Sequence, residues 1–130
     1  DNANEIAGIS MPIITVPLAT HAGWNLRHRD IGGGGQVLST GGASGGTLRG
    51  STIPFAATRI ERESTGDKRL SIEERYASKE QYLQLVKEAA EDQIDQRYLL
   101  EEDLESVLEH AALLYDYMTS QVAETRAGAD

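Results

Sequence analysis

The stretch Ser78-Lys79-Glu80-Gln81-Tyr82-Leu83-Gln84-Leu85-Val86-Lys87-Glu88-Ala89-Ala90-Glu91-Asp92-Gln93-Ile94 decides the fold class. Ser78 with Gln81 is a helix-opening signal, a hydroxyl that accepts from a backbone amide three residues on. Tyr82, Val86, Ala89, Ala90 and Ile94 keep helical spacing, and Leu83 and Leu85 widen the apolar stripe. The spacing predicts a helix from about Lys79 to Arg97. A second fits Glu101 to Met118, with Leu104, Val107, Leu108, Ala111, Leu114, Tyr115 and Met118 on one side. Glu101, Glu102 and Asp103 in its first turn suit the positive end of the helix dipole. The short link at Tyr98-Leu99-Leu100 makes the pair an antiparallel hairpin. After Ser120 the pattern weakens, and residues 121–130 read as a frayed tail.

Upstream the helical signals are shorter. Ser71 with Glu74 fits a capping box and a short turn through Arg75. Pro54 suits the first position of a helix over Ala56 to Glu63, stopping near Gly66-Asp67. Ile13 to Val16, a β-branched run between Pro12 and Pro17, reads as an edge strand or extended segment. Gly32 to Gly35, Gly41-Gly42 and Gly45-Gly46 form a glycine-rich stretch whose ordering is costly in backbone entropy. The expected organisation is an extended, glycine-rich segment over 1–53, a helical segment over 54–120 and the tail. That front half offers few large side chains to cover the hairpin's second apolar margin, so another part of the same protein is expected to supply the cover.

Composition narrows the function. From Asp1 to Lys68 acids and bases cancel, so the whole net charge of −9 belongs to the second half. An acidic chain without a basic tract argues against nucleic acid as a partner, because phosphate neutralisation needs clustered Lys and Arg. With 0 Cys, neither a disulfide nor a thiolate metal site can form. No apolar run reaches the roughly 20 residues of a membrane span.

Candidate chemistry is sparse. His21 and His28 near Asp30 suggest a base with an orienting carboxylate, but loop histidines at the surface fit as well. Ser39, Thr40, Ser44 and Thr47 do not sit in a G-x-S-x-G elbow between a strand and a helix. The Gly32–Gly35 run lacks the Lys-Ser/Thr pair of a phosphate loop, so no nucleotide cofactor is expected. His21, His28 and His110 have no i, i+4 partner, and no metal is expected. Trp24, the lone Trp, anchors its loop or lines a pocket; Arg27 and Arg29 bind a carboxylate or pair with Asp30.

A family resemblance lies in a series of blocks. Val16-Pro17-Leu18-Ala19-Thr20, Gly23-Trp24-Asn25-Leu26-Arg27, Ile53-Pro54-Phe55-Ala56, Thr58-Arg59, Glu61-Arg62-Glu63, Gly66-Asp67 and Ser71-Ile72-Glu73-Glu74-Arg75-Tyr76 follow in order. The string resembles the C-terminal region of the bacterial alpha/beta hydrolase domain-containing proteins. The resemblance implies an α/β hydrolase fragment, itself mostly α, with one or two short strands, belonging to a serine esterase whose triad lies upstream. No catalytic residue is then expected in this chain. Trp24, Asn25 and Arg27 become expected pocket-lining residues for a small ester, and the N-terminal hydrolase core becomes the expected partner. The resemblance leaves a secreted or periplasmic setting open. His21 stands where the family's pattern has Tyr, which argues against a family-wide catalytic role. A different class stays in play, a stand-alone acidic helical module that binds a protein partner.

Overall fold

The computed structural model describes Asn4, residues 8–22 and residues 51–127, with side chains as far as Ser120. Its elements are α1 (Pro12–Thr15), β1 (Ala19–Ala22), β2 (Ser51–Pro54), α2 (Arg59–Thr65), α3 (Ile72–Arg75), α4 (Lys79–Asp95), a 3₁₀ turn (Glu101–Asp103) and α5 (Leu104–Ala127).

The hairpin is as the periodicity predicts. The Ser78 hydroxyl accepts from the Gln81 amide, while the Gln81 carboxamide reaches one residue further back than a capping box would, to the Ala77 amide at 2.6 Å. α4 ends at Asp95, two residues short of Arg97. The chain has no glycine here, so Arg97 takes the left-handed conformation (φ 64°) that closes the helix. The Tyr98 amide then donates to the Gln93 carbonyl at 2.9 Å. Antiparallel pairing shows in the ion pair from Lys79, at the start of α4, to Asp116 near the far end of α5, at 2.7 Å. α5 stays helical past Ser120, to Ala127.

Two upstream expectations are corrected. Ile13–Val16 is not a strand: Pro12 to Thr15 form one helical turn, closed by the Val16 amide on the Pro12 carbonyl at 2.8 Å. Pro12 occupies the opening position, where its fixed φ helps and its missing N–H goes unneeded, and Thr15 donates to the carbonyls of Ser10 and Met11. Pro17 then forces Val16 out of the helical region. Pro54 likewise opens no helix; it ends β2. Phe55 and Ala57 are buried and outside any helix, and the helix starts only after Thr58, whose hydroxyl accepts from the Glu61 amide at 3.2 Å. The stop at Gly66 (φ 69°) and the full Ser71–Glu74 capping box stand where expected.

β1 and β2 pair antiparallel, Ala19 opposite Pro54 and Ala22 opposite Ser51. The Phe55 amide on the Leu18 carbonyl at 3.0 Å adds a rung. One hydrophobic core joins this front block to the hairpin. Val16, Leu18, Ala19, Phe55, Ile72 and Tyr76 meet Tyr82, Val86, Ala111 and Met118, so the segment before residue 53 does supply large side chains to the helices. Three tyrosines span the junction. Tyr76 meets Tyr82 edge-on at 5.2 Å between centroids, and Tyr82 meets Tyr115, also at 5.2 Å. Even so, Leu113 and Tyr117, one turn apart on α5, remain 69% and 56% exposed.

Candidate functional site

The two-stranded ladder is a mount. Residues 23–50 leave it at Ala22 and return at Ser51, which face each other in register. Trp24, Asn25 and Arg27, with His28, Arg29, Asp30 and the Gly32–Gly50 stretch, lie outside the described residues. What the structure defines is how their two anchor points are held.

On the edge of β1 away from β2, the Asn4 side chain bonds the backbone as a neighbouring strand would. Its Nδ2 donates to the Ala19 carbonyl at 2.9 Å and its Oδ1 accepts from the His21 amide at 2.7 Å. Two residues apart on one edge, those backbone groups are the pair an adjacent strand would engage. Across the ladder, the His21 ring Nδ1 pairs with the Thr52 hydroxyl at 3.3 Å.

The Ala19–Pro54 end of the ladder, away from residues 23–50, is also gripped by Arg69. Its guanidinium reaches the Thr20 hydroxyl at 3.0 Å and the carbonyls of Ile53 and Pro54 at 3.0 and 3.2 Å. Asp67 aims it, with contacts down to 2.6 Å. In return, hydrogen bonding to Arg69 holds the Asp67 carboxyl below the usual carboxylate range. Beneath lies the buried ring of Phe55, which carries the guanidinium of Arg69 at 5.3 Å and that of Arg75 at 4.2 Å from its centroid. Burial lowers the Arg75 pKa from its ordinary value.

A second polar joint fixes α2 to α3. Arg62 grips Glu74 with Nε at 2.7 Å and a terminal nitrogen at 3.1 Å, while the backbone and hydroxyl of Ser71 donate to the same carboxylate. Those bonds, the Ser71 backbone first, pull the Glu74 pKa down to about 2. Tyr76 ties α3 to the front segment by donating to the Pro17 carbonyl at 2.8 Å; burial pushes its phenol up to about 12.

The residues that hold the mount were not singled out as functional in the sequence. Asp67-x-Arg69 is a common local ion-pair spacing, and nothing in it says that the guanidinium spans two strands. Among the described residues no group of three His, Cys, Asp or Glu side chains is placed to hold a metal ion, and no helix is long and apolar enough to cross a membrane. His110 stands exposed on α5.

The letters Gly42-Ala43-Ser44-Gly45-Gly46 do spell G-x-S-x-G. A nucleophile elbow needs a strand before the serine and a helix running on from it. Ser44 and its neighbours lie outside the described residues.

The chain matches the alpha/beta hydrolase domain family over residues 1–109. It belongs to that family. Neither a curated protein nor a solved structure matches it.

Proposed function

We propose that this chain is the C-terminal portion of a carboxylic-ester hydrolase of the alpha/beta hydrolase family. It packs on the hydrolase core, with nucleophile, acid and histidine outside it, and it presents Trp24, Asn25 and Arg27 to one wall of the ester pocket. The observation that carries this reading is the mount: Asn4 and Arg69 clamp both strands from which residues 23–50 spring. A rigid two-point anchor is what a pocket-lining segment requires, since small displacements of a substrate-positioning group reduce rate steeply. Membership of the alpha/beta hydrolase domain family supports a hydrolase reading. Among the described residues the paired strands are two and antiparallel, whereas an α/β core is a mostly parallel sheet covered by helices, which supports placing the serine in the body the chain rests on.

Short p-nitrophenyl esters test the division of labour. The chain alone should give no turnover above background; turnover that vanishes in S44A would place the nucleophile here and overturn the reading. In the whole hydrolase, W24A should depress ester turnover more than it depresses the melting temperature.

The exposed pair Leu113 and Tyr117 favours a second reading, an acidic interaction module that binds a protein by its hairpin. Intact-mass analysis of native material separates the two. A longer polypeptide, or this piece held with an N-terminal partner, supports the hydrolase reading; this piece by itself supports the module.

A further inference from the structure

α1 is a single turn, too short to cover the flank of the hairpin against which it lies. A cleft of about 420 Å³ remains between α1, α4 and α5. Pro12 and Ile13 form one bank, Tyr82 and Val86 the floor, and Leu114 the far bank, while the small side chain of Ala111 leaves the space open. Its size falls within the roughly 300–1,000 Å³ of small-molecule sites, which join apolar walls to a few placed polar groups. Here those groups are Ser106 and His110, one helical turn apart on the same side of α5 and both exposed at the rim. Neither takes part in the mount.

We infer that this cleft binds a linear, uncharged amphiphile, its apolar chain along Val86 and Leu114 and its hydroxyl or carbonyl head at Ser106 and His110. Tyr82 and Val86, one helical turn apart on α4, give an alkyl chain an apolar track within the lining. Charge selects the head. The chain carries −9, and α5 and the turn before it place Glu101, Glu102, Asp103, Glu105 and Glu109 near the rim residues in sequence. A carboxylate head would enter a repulsive field that a neutral one does not meet. The inference stands without the ester-hydrolase reading, since it concerns binding by this chain alone.

Methyl NMR of the chain titrated with 1-decanol and, separately, with decanoate tests it at one chain length and two head charges. Decanol should shift the Val86, Val107 and Leu114 methyls saturably. It should bind at least fivefold more tightly than decanoate at low salt, with the gap narrowing in 0.5 M salt. S106W at the exposed rim should weaken decanol at least tenfold with an unchanged melting temperature, and I13W should do the same from the opposite bank. H110A should weaken it severalfold. The proposal is overturned if those methyls show no saturable shift, if decanoate binds as tightly as decanol, or if both tryptophan variants bind as the parent does.

Discussion

The hairpin and the block in front of it are held by different forces. α4 and α5 meet through repeated apolar positions and the tyrosines, with one exposed ion pair at the open end. The front block, from Ser10 to Tyr76, has short elements that contribute Leu18, Phe55, Ile72 and Tyr76 to the shared core. Its order rests on individual polar groups that reach across the chain: Asn4 to β1, Arg69 to both strands, Arg62 to Glu74, Tyr76 to Pro17. Packing on a stripe tolerates exchange among apolar residues. A guanidinium that satisfies two carbonyls and a hydroxyl has no substitute. The segment that carries the candidate pocket residues is therefore attached to the less forgiving of the two regions.

The largest effect should come where the regions meet. Tyr82 is 1% exposed and touches tyrosines on both sides, so Y82A should remove about 3–5 kcal/mol of stability in urea unfolding. A loss below about 1 kcal/mol would mean that the hairpin and the front block are not one cooperative core. R69A comes next, at about 2–3 kcal/mol, because it leaves Asp67 and two backbone carbonyls without their charged donor. Hydrogen exchange localises the cause: amides of β1 and β2 should lose protection while those in the middle of α4 keep it. R69K should recover little, since an ammonium cannot copy the planar fork. Equal loss of protection in α4 would erase the distinction between the regions.

The same contrast explains what could be read in advance. Helices α4 and α5 were legible because Tyr82, Val86 and Ala90 repeat with the helical period, and the Ser71–Glu74 box because both of its bonds are local. Ile13 to Val16 has the β-branched content of a strand, but the place of Pro12 at the start of a turn decides its conformation. Pro54 is the converse: burial of Phe55 against Leu18 outweighs its fitness for a helix start. Nothing local marks Arg69 as the clamp of β1 to β2, because its partners Thr20 and Ile53 lie far off in the sequence. The pocket residues Trp24, Asn25 and Arg27 rest on family likeness, and only their anchors have geometry here.

Smaller effects sharpen the picture within the front block. Y76F deletes one buried hydroxyl and leaves the Pro17 carbonyl unpaired, which should cost about 1–2 kcal/mol. Its readout is the midpoint in urea at constant slope, since a change in slope would report a looser native or denatured state instead.

The smallest expected effect appears only in acid, and it separates the two regions by pH. Glu74 is depressed to about 2 in the folded chain, from an unfolded value near 4.5. The unfolded state therefore takes up the proton first as pH falls, and stability declines. The contribution of the Arg62–Glu74–Ser71 joint is complete above the unfolded value, falls through the window from about 4.5 to 2, and is gone below it. Asp67, lowered by Arg69, adds a slope of the same sign, so the parent's acid limb alone does not isolate Glu74. E74Q does. The variant should be less stable than the parent at neutral pH, and the gap should close as pH drops through that window, because a protonated Glu74 and a glutamine are equally uncharged. The Ile72 and Tyr76 amides should report the loss by hydrogen exchange before those of α4. A gap between parent and E74Q that stayed constant from pH 7 to pH 2 would show that the carboxylate acts through shape rather than charge, and the front block would then be held much as the hairpin is.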